Sequence, residues 1–348
     1  MMIVRPVRLE DLDRVFELAT AANYGLTSLP RDREMLRRRV RESMHAFQKQ
    51  AERPGGELYV FVMEDLDTHV VVGTSCVVSK VGGFQPFWAY RIETCVHKCD
   101  TLGIRKDIST LKLVREHSGP SEIGGLFLGR EYRKHGNGRL LSLFRFLFMA
   151  ESPERFEPTV IAEMRGVVES NGISPFWEAI GRHFFDIDYP SADLLSVMDK
   201  RFIADLMPTC PIYIPLLPQS AQEVIGKVHQ RTEPALKMLL DEGFDYTGMI
   251  DIFEGGPVIS CPLAEIRIVN ESRSAEVEAI ASGAVETLPC IIARFGEDFR
   301  ACAGDVALGE ASGVIVPPEV AAALDIREGD RVRFAPLRPS GRRPENPT

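Results

Sequence analysis

The stretch best suited to chemistry is a turn at residues 133–138, which reads Arg-Lys-His-Gly-Asn-Gly. It joins two apolar segments, 122–128 and 138–150, whose patterns predict a strand and a buried helix. Glycines at such a turn let backbone N–H groups converge on an anion, and the partial positive charge of the helix N-terminus adds to the attraction. The turn therefore predicts a pyrophosphate site. The alternative is that Gly136 and Gly138 only shape a tight turn.

Three other side chains could act on a substrate. His229 precedes a helical pattern at 232–244, and a histidine titrates near neutral pH, so it can take a proton from an amine or give one to a leaving group. Glu163 and Arg165 lie two residues apart at the end of the fifth strand, predicted at 159–164, and offer a carboxylate and a cation to a substrate. The alternatives are a capping or surface histidine and a structural ion pair.

The cysteines indicate free thiols. Seven of them, at positions 76, 95, 99, 210, 261, 290 and 302, are scattered without paired Cys-x-x-Cys spacing, which favours a reducing compartment. Cys95 and Cys99 around His97 resemble half of a metal site, but no second Cys/His pair completes four ligands. We therefore predict no metal site.

Composition and charge narrow the class of protein. At about 150 residues per domain, 348 residues predict two domains or one enlarged domain. With 41 Lys+Arg against 50 Asp+Glu, the net charge of −9 disfavours a nucleic-acid partner and suits a cationic small substrate. No secretory signal pattern is visible, and the longest apolar run, 140–150, is too short to span a bilayer. We expect a cytoplasmic protein with no membrane partner.

The hydrophobic periodicity predicts an alternation of helices and strands. In the first part of the chain it predicts, in order, a strand at 3–5, a helix at 6–22, a loop at 23–30, a helix at 31–50, a hairpin of 57–64 with 70–80, a strand at 88–97, and a loop and helix at 101–116. After the turn at 133–138 it predicts strands at 159–164, 183–187 and 249–253 and helices at 174–181, 220–228 and 232–242.

The composition of the sequence and the length of its apolar runs change near residue 255. Short β-type runs at 265–269 and 290–295 lie among small and polar residues, and 313–337 reads strand, helix, Gly-Asp turn, strand. The last unit resembles small swapped-hairpin and double-psi barrels. Its few basic residues are offset by acidic ones, which disfavours DNA binding.

The order strand, Arg-x-x-Gly-x-Gly turn, buried helix, strand and helix resembles motifs A and B of the GNAT acyltransferase superfamily. The resemblance implies an α+β fold with a mixed, mostly antiparallel sheet flanked by helices, in which a splayed strand admits the acyl group. It also implies CoA contacts at two groups of residues: the backbone of Leu126, Phe127 and Leu128, and the turn residues Arg133, Lys134, Gly136, Asn137 and Gly138. Members often carry a tyrosine acid in the helix after the fifth strand, but 174–180 contains none.

Several stretches further resemble the arginine N-succinyltransferase family: 25–30, 162–166, 174–177, 211–213, 224–229 and 252–257. The resemblance implies transfer of succinyl from succinyl-CoA to the α-amine of L-arginine, with ornithine as an alternative acceptor, in bacterial arginine catabolism. It makes His229 the proton donor and places a succinyl-CoA contact at Leu126. Succinyl-CoA is then a co-substrate, no cofactor is tightly bound, and the chain forms a homo-oligomer or pairs with a similar subunit.

We expect four parts along the chain: a GNAT-like acyl-CoA-binding unit at 1–190, a second partial GNAT-like unit at 191–254 carrying His229, a small β-barrel-like module at 255–338, and a disordered tail at 339–348. Two other functions stay open. The chain could be an acyltransferase for another acyl-CoA or amine, or a non-catalytic subunit that binds arginine or CoA.

Overall fold

A computed structural model describes residues 1–22, 29–83, 85–198, 201–283, 286–296, 298–309 and 313–339. Most of the loop predicted at 23–30 and all but the first residue of the tail predicted at 339–348 lie outside these ranges. Across the described ranges, no helix is both long and apolar enough to cross a bilayer.

Strands and helices alternate irregularly along the chain. The strands are β1 (Met2–Pro6), β2 (Leu58–Asp65), β3 (Val70–Val78), β4 (Phe87–Cys99), β5 (Ile104–Glu116), β6 (Ser121–Leu128), β7 (Thr159–Glu163), β8 (Ile212–Tyr213), β9 (Asp245–Ile250), β10 (Pro257–Pro262), β11 (Arg273–Ile280), β12 (Leu288–Arg294), β13 (Arg300–Leu308), β14 (Val314–Val316) and β15 (Arg331–Pro336). The helices are α1 (Leu12–Ala21), α2 (Arg33–Gln48), α3 (Asn137–Glu151), α4 (Pro175–Ala179), α5 (Gly181–Phe185), α6 (Tyr189–Met198), α7 (Arg201–Leu206), α8 (Gln219–Gln222), α9 (Glu233–Asp241), α10 (Arg267–Glu271) and α11 (Pro318–Leu324).

The main sheet has the order β1-β2-β3-β6-β7-β10-β9-β4-β5-β8, and its only parallel pair among the described strands is β6 with β7. Alternation along β2 directs side chains to both faces. Tyr59 and Phe61 pack with α3, whereas Val60 and Val62 pack with α1 and α2. This mixed sheet between helices confirms the expected α+β class.

The buried helix predicted at 138–150 is α3, and it is apolar on nearly every face because it is covered on more than one side. It packs against the sheet and also against β12, β15 and α10 from the C-terminal part of the chain. One charged residue, Arg145, lies within this core at 2% exposure.

The two parallel strands diverge, as the superfamily resemblance implies. They pair only at Ser121 with Val160 and Glu122 with Ile161, near the start of both strands. Farther along, β6 carries a β-bulge against β3, where the positive φ of Gly125 (+59°) accommodates an extra residue. The bulge bends β6, and a gap opens between the carboxyl ends of β6 and β7.

Three element predictions are wrong, and a fourth is too long. Residues 104–116 form β5 and not a loop and helix, because they pair with β4 along all thirteen residues of both strands. Residues 183–187 begin in α5 and not in a strand. There Phe185 is buried against Trp177 while Phe184 is exposed, so the aromatic run follows one side of a short helix. The run at 265–269 likewise enters a helix, α10, and the helix predicted at 220–228 is limited to α8.

The strand pairing also bears on the predicted division into four parts. Within the described residues, 191–254 forms no sheet of its own: β8 and β9 join the main sheet at β5 and between β10 and β4. After residue 255, β10 still pairs with β7 and β9 in that sheet. The barrel strands therefore begin at Arg273, later than the boundary expected near 255.

The C-terminal strands close into a five-stranded barrel in the order β12-β15-β11-β14-β13, with β13 returning to β12. The sequence at 313–337 forms β14, α11 and β15, as predicted. The barrel strand β13 also pairs with β1, where Cys302 lies opposite Ile3, so the barrel continues the main sheet.

Candidate active site

The turn at 133–138 is tied to β6 by its arginine. Arg133 Nε donates a hydrogen bond to the Leu128 carbonyl oxygen at 2.9 Å, and its guanidinium lies 5.7 Å from the centroid of the Phe127 ring. Arg133 thus fixes where the turn leaves the strand, and its exposed side chain remains beside the turn.

Some backbone amides of the turn are used internally. Those of Arg133, Lys134 and Asn137 donate to carbonyl oxygens of Arg130, Tyr132 and Lys134. The Asn137 side chain also donates to the Tyr132 oxygen at 3.0 Å. Asn137 therefore stabilises the turn, and its backbone N–H is not available to a ligand.

The remaining amides face an open space at the start of α3. The N–H groups of His135, Gly136, Gly138 and Arg139 take no part in these bonds of the turn. A Cβ atom placed on Gly136 or Gly138 meets no atom within 4 Å. Gly136 is required by its φ of +80°, but nothing in the fold requires a glycine at 138. Open amides at a helix N-terminus fit an anion such as a pyrophosphate.

The hydrogen bonds between β6 and β3 determine which peptide groups of β6 point toward β3 and which point away from it. The Gly129 N–H donates to the Val72 oxygen at 2.8 Å, so alternate residues of β6 exchange hydrogen bonds with β3. Phe127 is one of these, whereas the peptide groups of Leu126 and Leu128 point the other way, into the gap. The ladder thus leaves the peptide groups of Leu126 and the N–H of Leu128 available to a ligand, whereas the Leu128 carbonyl oxygen already accepts from Arg133.

His229 lies at the far side of the same gap. Its N–H donates to the Arg165 carbonyl oxygen at 2.8 Å, two residues beyond the end of β7. Its side chain caps a 3-10 turn, since Nδ1 accepts from the Arg231 N–H at 3.0 Å. The capping role considered for this residue is therefore present, and the ring is only partly buried, so one edge stays accessible.

The hydrogen bond from the Arg231 N–H determines which ring nitrogen of His229 carries the hydrogen. Because Nδ1 accepts a hydrogen bond, the neutral ring carries its hydrogen on Nε2. Burial, followed by the charges of Arg165 and Arg231, lowers the pKa of His229 below its usual value. The resting ring is therefore neutral at pH 7 and acts as a donor through Nε2.

A buried carboxyl group, Glu254, stands behind this region and was not singled out from the sequence. Its Oε2 accepts from the Gly166 N–H at 2.7 Å, and its Oε1 accepts from the Tyr189 hydroxyl and lies 3.9 Å from Arg165 Nε. Burial, and next the charge of Asp251, raises the pKa of Glu254 to about 8. The 252–257 stretch that contains Glu254 carries part of the family resemblance, but no motif in it marks this residue.

The carboxyl group connects the segments that hold His229. Glu254 anchors Gly166, next to the Arg165 carbonyl that accepts from His229. The following residue, Gly255, accepts from the Gly226 N–H at 2.8 Å on the other side of the same segment. Tyr189 is 0% exposed and occupied by Glu254, so it does not replace the tyrosine acid that 174–180 lacks.

The two predicted substrate residues lie at the end of β7. Glu163 is exposed and Arg165 is partly exposed. Met164 and every second residue before it form hydrogen bonds with β10. The peptide groups of Glu163 therefore point the other way, toward β6 and the gap. Arg165 lies beside Glu254, with its Nε 3.9 Å from Glu254 Oε1, and its charge contributes to the lowered pKa of His229.

All seven cysteines are free thiols. Cys95 Sγ lies 3.7 Å from Thr110 Oγ1, and the His97 ring packs against Tyr213. Among the residues that the structure describes, no group of three His, Cys, Asp or Glu side chains is placed to hold a metal ion.

A mixed sheet with diverging central strands and a glycine turn at a helix N-terminus defines a GNAT-like acyltransferase fold. Residues 2–268 match the arginine N-succinyltransferase beta subunit family, and 273–336 match the C-terminal domain of that subunit. The chain therefore belongs to the arginine N-succinyltransferase family.

Individual relatives are similar to this chain over almost its whole length. The arginine N-succinyltransferase of Escherichia coli (strain 55989 / EAEC) is 40% identical over 341 residues, covering 97% of this chain and 98% of the relative. The arginine N-succinyltransferase subunit beta of Pseudomonas aeruginosa is 43% identical over 338 residues, with 97% and 98% covered. The solved arginine/ornithine succinyltransferase subunit AI from Pseudomonas aeruginosa has a TM-score of 0.88 at 36% identity and covers 97% of this chain and 99% of its own.

Proposed function

We propose that this chain is an arginine N-succinyltransferase that transfers succinyl from succinyl-CoA to the α-amine of L-arginine. The observation that carries the proposal is the identity of 40% over 97% of the chain with a relative of that name. An anion-binding turn beside a gap between strands suits an acyl-CoA donor, and the net charge of −9 suits a cationic acceptor.

Succinyl-CoA is proposed to bind as a co-substrate along β6. Its pyrophosphate would accept from the open amides of Gly136 and Gly138 at the start of α3, with the cations of Arg133 and Lys134 beside it. Its pantetheine arm would pair with the gap-facing carbonyl oxygen of Leu126 and the N–H of Leu128, as a further strand would. The chain is proposed to hold no tightly bound cofactor.

The transfer is proposed to be direct, within a ternary complex. The neutral α-amine attacks the thioester carbonyl carbon, a C–N bond forms, and the oxygen becomes an oxyanion that backbone N–H groups of β6 stabilise. The C–S bond then breaks, the sulfur leaves with its electron pair and gains a proton, and the nitrogen loses one to water. No serine or cysteine nucleophile is needed.

His229 is proposed to act at the leaving sulfur. The ring presents its Nε2 hydrogen because Nδ1 accepts from Arg231. This hydrogen stabilises the negative charge that develops on sulfur. As the Nε2 proton passes to sulfur, Nδ1 takes up the proton that the amine gave to water, and the hydrogen bond from the Arg231 N–H to Nδ1 breaks. The geometry favours donation to the sulfur over removal of a proton from the amine.

Arginine recognition is proposed at the end of β7. Glu163 would pair with the guanidinium, and Arg165, positioned by Glu254, would pair with a carboxylate of arginine or of the succinyl group. We further propose that the chain works in the cytoplasm, which suits its seven free thiols. It is proposed to form a homo-oligomer or to pair with a similar subunit, without nucleic acid.

A panel of acyl-CoA donors and amine acceptors tests the proposal, with release of free CoA as the signal. Succinyl-CoA with L-arginine should give the highest kcat/KM, above acetyl-CoA as donor and above ornithine and lysine as acceptors. Highest activity with another donor or amine would favour a related acyltransferase. Calorimetric binding of arginine or CoA without turnover would instead identify a regulatory subunit.

A further inference from the structure

The bulge in β6 is held by two buried donors that the chemistry above does not use. Arg145 Nη1 donates to the Gly124 oxygen at 3.2 Å and, at 3.5 Å, to the Cys76 oxygen on β3. Thr74 Oγ1 donates to the Gly125 oxygen at 3.1 Å. Both carbonyl groups of the bulge therefore accept a hydrogen bond from a side chain in the core.

Arg145 is an unusual core residue. Its guanidinium donates to three carbonyl oxygens and one hydroxyl, and among the described residues its hydrogen bonds include no carboxylate. Burial lowers its pKa to about 10. A buried cation paired only with neutral dipoles is disfavoured relative to an apolar side chain of similar size. Stability therefore does not account for an arginine at this position.

The two donors act on the peptide group that faces the gap. A carbonyl that accepts a hydrogen bond makes the N–H of the same peptide a stronger donor. The Gly125 carbonyl shares its peptide with the Leu126 N–H, and the ladder with β3 directs Leu126 into the gap. Thr74 thus strengthens that N–H, and Arg145 fixes the bulge that aims it.

We propose that Thr74 and Arg145 are positioning residues that set the Leu126 N–H as the donor to the thioester oxygen when it becomes an oxyanion. The inference rests on the proposed succinyl transfer. The proposal explains why the bulge at Gly125 comes directly before Leu126, the first residue of β6 whose peptide groups face the gap.

The main test compares Thr74→Val with Thr74→Ser, since valine keeps the shape and serine keeps the hydroxyl. Thr74→Val should lower kcat about tenfold, a fraction of the loss of about 10²–10³ that follows removal of a whole oxyanion donor. KM for succinyl-CoA should change by less than about twofold, because the interaction is made in the transition state. Thr74→Ser should restore kcat to within about threefold of the unsubstituted chain.

The neighbouring Ser75 offers a matched control. It is also fully buried on β3, and its hydroxyl has no hydrogen-bond partner among the described residues. Ser75→Ala should keep the kcat of the unsubstituted chain. Equal kcat values for Thr74→Val and Ser75→Ala would overturn the proposal.

Arg145→Met supplies a second, independent arm. Methionine fills apolar space without a charge, so the variant should unfold at the same temperature or higher while its kcat falls at least about tenfold. Loss of stability with unchanged kcat would overturn the role of Arg145. If this variant does not fold, Arg145→Lys, which keeps the charge but loses the forked donors, takes its place and should also lower kcat.

Amide hydrogen exchange of the peptide spanning 121–128 makes the inference testable without turnover. Exchange should be faster in Thr74→Val than in Ser75→Ala. If the unsubstituted chain fails to convert succinyl-CoA and arginine, the proposed function fails and this comparison alone decides the role of Thr74. Equal exchange in the two variants would overturn it.

Discussion

Replacing Gly138 by alanine should separate the stability of the chain from its affinity for CoA. Gly138 is the second residue of α3, its φ is not positive, and an added Cβ meets no atom within 4 Å. Alanine is favoured over glycine in a helix interior by about 1 kcal/mol, and near a helix start we expect about half of that. The free energy of unfolding should therefore rise slightly in Gly138→Ala.

The same Cβ would stand in the space proposed for the pyrophosphate. Loss of one hydrogen bond to a charged group costs about 1.5–3 kcal/mol, which corresponds to a roughly 10- to 150-fold weaker Kd for CoA. The variant should therefore be at least as stable as the unsubstituted chain and bind CoA much more weakly.

Two measurements check this prediction: thermal unfolding without ligand, and calorimetric titration with CoA. Gly83→Ala is a matched control, because Gly83 also has no positive φ and no atom within 4 Å of an added Cβ, but lies between β3 and β4. The control should bind CoA normally. If Gly138→Ala binds CoA as tightly as the control, the turn does not hold the pyrophosphate.

Three further predictions concern the proton-bearing residues. His229→Ala should lower kcat/KM by about 10²–10⁴, as expected for loss of an acid–base group, and a loss below about threefold would remove His229 from catalysis. In an NMR titration the His229 ring should titrate below pH 6.5, because its lowered pKa favours the neutral ring in the folded state; a midpoint above 6.5 would contradict the effect assigned to burial and to the charges of Arg165 and Arg231. The raised pKa of Glu254 means that the folded chain binds a proton more tightly than the unfolded chain, so stability should fall as pH rises from 4.5 to about 8. Glu254→Gln should weaken this dependence, because a tenfold difference in proton affinity between the folded and unfolded chains corresponds to about 1.4 kcal/mol of stability. Chemical denaturation at pH 5 and pH 8 measures the dependence in both chains, and an equal loss of stability in the two would contradict the role given to this carboxyl group.

The sequence was most informative where function depends on local order. The turn at 133–138 could be predicted because the strand, the glycines and the buried helix are consecutive along the chain. His229 could be singled out by its type and by resemblance. Its capping bond to Arg231 could not, because a tautomer depends on geometry.

Contacts between distant parts of the chain explain what was missed. Seven of the thirteen residues of β5 are exposed and six are charged, and the pairing of this strand with β4 overrides the weak local pattern. Glu254 acts through Gly166, 88 residues earlier, and Arg145 acts through Cys76, 69 residues earlier. Composition and spacing carry no signal for such pairs.

The most direct test of the central claim is to identify the product. The purified chain is incubated with succinyl-CoA and either L-arginine or Nα-acetyl-L-arginine, free CoA is measured, and the acylated amino acid is identified by mass spectrometry. We predict one N2-succinyl-L-arginine per CoA released and no product from the blocked amine. Equal turnover of the blocked amine, or CoA release without succinylarginine, would contradict the account.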